Sequence, residues 1–359
     1  MITSATSLKP NKENRADLIY SGGSSRGWGP IEHLTRLAER LLGVELKFVE
    51  LQNASKPKKI WHEIRPSRNG KGPGSIYLVK SPGEIRSLAG LPDFFHFKEF
   101  RALWIVDSFW TDRAPSSRFM RHFDLVIYMQ KNEASFYEHL APNRTLYLPW
   151  GADVLDLGSK SADRPIDVLR VGRQPAVWDD DNRNGTVCAA AGLKFSGRPP
   201  LFGTSASDTS TAHQSLCEYY AKAKFVVAHS NLVSPAAYTH PEKEYLTGRW
   251  TDALAAGAVV AGIHPYGDGS SEDLLWKGAT LDFNQIDLKC NVEALVRATH
   301  EWNPNMASAN HLQALIRLDW RWRLRSLADE LSIRTPVLDG EIERLKARIS
   351  FLETEIKAF

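Results

Sequence analysis

The sequence predicts an α/β protein built from two doubly wound Rossmann-like domains, each a parallel sheet covered by helices on both faces. Three observations predict it. Short apolar runs alternate with longer amphipathic segments, the alternation breaks once and restarts, and the runs are continuous rather than alternating polar and apolar. Continuous runs belong to strands buried on both sides, as in a parallel sheet.

The first half opens with a strand at Asp17–Tyr20, followed by the turn SGGSSRGWGP (21–30) and a helix whose Ile31, Leu34, Leu37, Leu41 and Leu42 share one face. Runs at 46–51, 75–80, 101–107, 123–129 and 145–150 continue the strands, with a crossover helix expected over Asn132–Leu140. The polar stretch GADVLDLGSKSADRP (151–165) reads as a linker. The alternation then resumes through 166–172, 193–197, 224–230, 258–263 and 279–283. This divides the chain into domains at 1–155 and 156–310, a helix over 311–335 and a tail at 336–359. Within RLDWRWRLR (317–325) and just before it, Ile316, Trp320 and Leu324 share a helical face, which suits a packed helix better than a nucleic-acid surface. In the tail, Leu338, Ile342, Leu345, Ile349, Leu352 and Ile356 form an a/d seam beyond Pro336, just under three heptads long, which reads as a coiled coil that joins copies of the chain into a homo-oligomer or as an amphipathic helix packed on its own domain.

A chain of 359 residues with 43% hydrophobic and 24% charged residues can bury two sizeable cores. A net charge of +3 argues against nucleic acid as a partner. Cys188, Cys217 and Cys290 are odd in number and widely spaced, so they make neither a disulfide framework nor a zinc motif and suit a reducing compartment. The N-terminus lacks the apolar core of a signal peptide, and the longest apolar run, Ala253–Ile263, is too short to span a bilayer. A cytoplasmic protein is expected. The basic run 56–71 around Trp61 reads either as a solvated loop or as a peripheral contact with a membrane or an anionic acceptor.

Five stretches carry candidate chemistry. In EKEYLTGRWTDALAAGAVVAG (242–262), Glu244 and Asp252 stand eight positions apart ahead of Ala-Leu-Ala-Ala-Gly, with a helix expected to start near Thr247 or Arg249. Acids there can simply favour the helix dipole, but the small residues that follow let a helix start approach the mouth of a sheet. LRVGRQP (169–175) places Gly172 and Arg173 at a strand end, where a guanidinium can fork two phosphate oxygens. Gly22 and Gly23 form either a tight turn or a backbone approach to a ligand beside a helix N-terminus. Asp107, in LWIVDSFWTDR, ends a strand, either as a turn cap or as a general base, with Asp112 as second choice. His240, held extended before Pro241, is an ordinary loop residue or a partner for a sugar hydroxyl or phosphate. The histidines are scattered, and no dedicated metal site is expected.

A Glu, seven residues, a second acid, then Ala-Leu-Ala-Ala-Gly-x-x-Val resembles the Glu-x7-Glu signature of GT-B-fold glycosyltransferases, most of all the group-1 and CgeB-like branches. LRVGRQP resembles the strand and loop that open the second domain of that family, and LYLPWGADV (146–154) resembles the strand end that closes the first. The likeness covers about 120–330. It implies two lobes facing across a cleft, with the helix over 311–335 crossing back to the first. It further implies a nucleotide-diphosphate sugar as donor substrate, a glycan, lipid-linked or other acceptor on the first lobe, and no cofactor or metal. By the same resemblance Asp252 grips ribose, Glu244 faces the sugar, and Arg173 with Lys243 or Arg249 meets the diphosphate. Gly22, Gly23, Gly172 and His240 complete the donor site, and Asp107 is the base that an inverting enzyme needs. Two departures stand out: Asp replaces Glu at the second acid, and the loop after Arg173 is acidic, QPAVWDDD, where the family often has Lys. The competing readings are a non-catalytic sugar-nucleotide or glycan-binding assembly protein and a nucleotide-sugar epimerase of similar fold.

Overall fold

The structure, a computed structural model, describes residues 15–22, 26–52, 73–96, 98–200 and 209–357. Gly23, the basic run 56–71 and the first fourteen residues lie outside the described residues.

Among the described residues eleven strands form at the expected places, most of them trimmed by one to three residues where the chain turns out of the sheet. The first sheet contains β1 (Asp17–Tyr20), β2 (Glu45–Phe48), β3 (Ser75–Val79), β4 (Arg101–Ile105), β5 (Leu125–Tyr128) and β6 (Thr145–Tyr147). Its order is β2-β1-β3-β4-β5-β6, all parallel. The second contains β7 (Ile166–Arg170), β8 (Phe195–Ser196), β9 (Ala223–Val227), β10 (Val259–Gly262) and β11 (Thr280–Asp282) in the order β11-β10-β9-β7-β8, again parallel. The central strands β3, β4 and β5 are buried along their whole length, as their continuous apolar runs require. In each sheet the winding reverses once, between β1 and β3 and between β7 and β9. Crevices open at such switch points, outside the carboxyl ends of the strands.

Helix Gly29–Leu42 buries Ile31, Leu34, Leu37, Leu41 and Leu42. It packs on helix Thr209–Ala221 of the second lobe and on two C-terminal helices. One apolar cluster therefore runs from Leu18, Ile76 and Trp104 in the first sheet to Leu169, Val226 and Val260 in the second. Separate clusters line the outer faces.

The C-terminal segment corrects two expectations. In place of one helix over 311–335 there are two, Pro304–Arg317 and Trp320–Glu330. Between them Leu318 and Trp320 pair with Ala152, whose N–H donates to Leu318 O at 2.9 Å and whose carbonyl accepts from Trp320 N at 3.0 Å. Because of this break Ile316 is exposed, while Trp320 and Leu324 are buried. The heptad seam forms a helix, Pro336–Lys357, but Leu338, Ile342, Leu345 and Leu352 are buried within their own chain. They pack against helices Gly29–Leu42 and Pro304–Arg317, so the surface expected to pair two copies is filled in cis. Among the described residues no helix is long and apolar enough to cross a membrane.

A charged hinge ties the ends of the two lobes. Arg321 is fully buried, and its guanidinium donates to Asp153 at 2.7 Å, Asp156 at 2.7 Å, Asp319 at 3.2 Å and Glu341 at 2.7 Å. Asp153 also meets His33 Nε2 at 2.8 Å. Burial alone would raise the Asp153 carboxyl, yet His33 and Arg321 bring its pKa down to about 2. For Asp319 burial wins over Arg321 and the pKa rises to about 6.

Candidate active site

The carboxyl ends of β7 and β9 face the first lobe. After β7 the chain turns through Gly172, whose φ of 68° lies in the left-handed region. The guanidinium of Arg249, on helix Gly248–Ala255, braces this turn by donating to Arg173 O at 2.7 Å and Val171 O at 3.4 Å. Its Nε and Nη2 keep no hydrogen-bond partner among the described residues, and burial lowers its pKa. The Arg173 side chain stands free of the loop. It lies over the Tyr238 ring at 5.2 Å and reaches Ser234 Oγ at 3.5 Å. Gly172, Arg173, Tyr238 and His213 line a pocket of about 610 Å³, closed from the other side by Gly27 and Pro30 of the first lobe. That volume suits a small-molecule ligand. A second hollow of about 460 Å³ lies at the edge of the second sheet beside Phe283 and Arg297, away from every predicted site residue.

Glu244 is held by both oxygens. Ser230, just beyond β9, donates its hydroxyl to Oε1, and Gly267 N donates to Oε2 at 2.7 Å. A Cβ on Gly267 would come within 2.8 Å of that oxygen, so any larger residue there would displace the Glu244 carboxylate. Ser234 Oγ donates in turn to Ser230 O at 3.3 Å, which connects Glu244 to Arg173 through two serines.

In the first lobe Asp107 stands two residues beyond β4. Its backbone N–H donates to Lys80 O at 2.8 Å, and its carboxyl has no hydrogen-bond partner among the described residues. Burial first, and the charge of Glu84 second, push its pKa up to about 7. Phe109, two residues on, stacks on Tyr245 at 4.0 Å, and Trp110 leans on His240 at 4.8 Å. The segment that follows Asp107 thus packs on the segment that carries Glu244. His240 Nδ1 accepts from Glu242 N at 3.1 Å and Lys243 N at 3.0 Å. This fixes the proton on Nε2, and burial together with Lys243 lowers the pKa. Gly22 sits at the exit of β1 with open space around it.

The structure commits two predicted donor-site residues elsewhere. The Lys243 ammonium donates to Phe109 O at 3.1 Å and Thr111 Oγ1 at 3.0 Å and pairs with Glu133 at 2.8 Å, all in the first lobe. Its charge is already matched, so it works as a latch between lobes. Asp252 is buried, and its Oδ2 lies 3.0 Å from His213 Nε2. Cys217 Sγ stands 3.7 Å from the same nitrogen, and one ligand atom from each of the three residues falls within 4.8 Å of the others. Sequence reasoning passed over His213. The signal available was His213-x3-Cys217, a spacing that places both side chains on one helix face.

Two parallel sheets wound about switch points, with an interlobe pocket between their carboxyl ends and terminal helices returning to the first lobe, define the GT-B fold of glycosyltransferases. Among solved structures the chain is similar to Anabaena HepE in complex with UDP and glucose, at 12% identity over 89% of this chain and 100% of that one, with a TM-score of 0.52. Sucrose-phosphate synthase from Thermosynechococcus elongatus aligns at 14% identity over 88% of this chain and 98% of that one, with a TM-score of 0.49. No family model matches the sequence, and no curated protein matches it.

Proposed function

We propose that the protein is a glycosyltransferase that moves a sugar from a nucleoside-diphosphate donor in the interlobe pocket to an acceptor hydroxyl presented by the first lobe. The observation that carries this is a pocket of about 610 Å³ lined by Arg173 between the two lobes, with Glu244 joined to Arg173 through Ser230 and Ser234. The likeness in fold to HepE, which binds UDP and glucose, supports the choice of ligand.

Each residue has a physical role. Arg173 and the open edge of Arg249 face the diphosphate, whose negative charge grows as the sugar–phosphate bond breaks. Glu244, fixed by Ser230 and Gly267, accepts from donor-sugar hydroxyls and orients the ring. Asp107 takes the proton of the acceptor hydroxyl while its oxygen bonds to the anomeric carbon and the nucleoside diphosphate departs. A carboxyl with a pKa of about 7 is matched to that task near neutral pH. A base on the face opposite the leaving group makes the transfer inverting. No protein-bound cofactor takes part, and the donor is a substrate. His240, with Nε2–H unengaged, and Gly22 border the same space.

A thermal-shift screen against nucleoside diphosphates and their sugars identifies the donor, since a ligand at 100 times its dissociation constant stabilises by about 2.7 kcal/mol. With that donor, Glu244→Ala is expected to lower transfer by about 100-fold, the scale of a lost charge-assisted contact. Transfer that survives Glu244→Ala in a folded protein counts against the reading.

A further inference from the structure

His213 stands where the two lobes meet. Its Nε2 is engaged by Asp252, while Nδ1 is buried and has no hydrogen-bond partner among the described residues. The ring lines the interlobe pocket and Asp252 does not, so the edge bearing Nε2 faces away from the pocket toward the acid. Burial works against a charge here, but the Asp252 carboxylate carries the imidazole pKa well above its ordinary value. This favours the charged ring, in which Nδ1–H is a donor lacking an acceptor among the described residues. Such a group gains most when a ligand brings one.

We propose that His213 contacts the donor nucleotide directly: Asp252 holds the ring through Nε2, and Nδ1–H donates to an oxygen of the nucleoside diphosphate in the pocket. The inference rests on the donor-site reading above and changes the part played by the second acid. Asp252 is one methylene shorter than Glu, and the imidazole supplies the missing reach. Asp252 becomes a positioning residue, acting on the nucleotide only through His213.

The full-length protein is titrated with UDP, GDP, ADP and dTDP, then with the nucleoside and the inorganic pyrophosphate of whichever binds tightest, which tells a ribose oxygen from a phosphate oxygen. His213→Ala is expected to weaken the diphosphate about 10-fold or more. Asp252→Asn is expected to weaken it less and to add nothing on top of His213→Ala, while Cys217→Ala leaves affinity unchanged. In the unsubstituted protein, labelled with ¹⁵N-histidine, saturating nucleotide is expected to shift the His213 Nδ1 resonance, a readout that needs no variant to fold. Unchanged affinity in a folded His213→Ala protein overturns the proposal, as does a resonance that nucleotide leaves in place. Stoichiometric zinc whose chelation shifts that resonance also overturns it, because the three side chains would then be cation ligands. If no nucleoside diphosphate binds the unsubstituted protein, the donor-site reading falls as well; if one binds and His213 is indifferent, only the present inference falls.

Discussion

The two lobes are tied together at a hinge and at a mouth, and the two ties differ in kind. At the hinge one buried guanidinium, Arg321, serves Asp153, Asp156, Asp319 and Glu341, with Asp153 and Asp319 themselves almost fully buried. At the mouth, Lys243 pairs with Glu133 and Lys131 with Asp273 at 3.0 Å, while Asn132 bonds the backbone of Gly267 and Gly269. Lys131 and Asp273 are 42% and 39% exposed, so water can replace each partner at little cost. Charges at the hinge have no such replacement. Opening for substrate therefore belongs to the mouth, and the hinge sets the axis.

The largest expected effect breaks the hinge. Arg321→Met leaves Asp153 and Asp319 buried without their cation and should cost about 3–5 kcal/mol in denaturant unfolding. A loss below about 1 kcal/mol would show that the network is not what fixes the lobes. At the mouth, Arg173→Ala removes the cation facing the diphosphate and should weaken donor binding by about 10- to 100-fold, measured by calorimetry, with the unfolding midpoint little changed. A pH series sharpens the contrast between the two regions. Asp107, raised to about 7, must be deprotonated to act, so transfer should fall as pH drops below 7. In stability the sign reverses: between its unfolded pKa near 4 and 7 the folded state keeps a proton that the unfolded chain has lost, so stability declines as pH rises through that window. Asp107→Asn should abolish transfer and remove the part of that decline between about 6 and 7, where Asp319 at the hinge, raised only to about 6, contributes little. At the hinge, Asp153 is depressed to about 2, so its stabilisation is complete above about 4 and is lost only as pH falls toward 2. Smallest of all, Lys131→Ala, which opens the half-exposed pair with Asp273, should change stability by less than about 1 kcal/mol while altering KM more than kcat, since it loosens closure without touching the reacting atoms.

The strands were legible because burial on both faces writes continuous apolar runs into the sequence, as in SIYLV and RALWI. Spacing likewise marked Glu244 and the helix that follows it. Long-range partners were not legible. Lys243 displays its charge in the sequence, but its target, Glu133, is fixed only by how the lobes close. Asp252 and His213 lie on different helices, and nothing in the spacing around Asp252 points to a histidine 39 residues earlier. The heptad seam was legible as a packing surface but its partner was not, because periodicity shows that a helix has a partner and not which chain supplies it. Arg321 sat in a stretch read only as a packed helix, since its acids come from the linker and the last helix.

The cover supplied by the last helix also has a consequence for synthesis. Leu41, whose carbonyl accepts from the Thr335 hydroxyl, leaves the ribosome 294 residues before that partner. Until Pro336–Lys357 emerges, helix Gly29–Leu42 lacks the last of its covering helices, and the nascent first lobe must remain unfinished or shielded while the rest is translated.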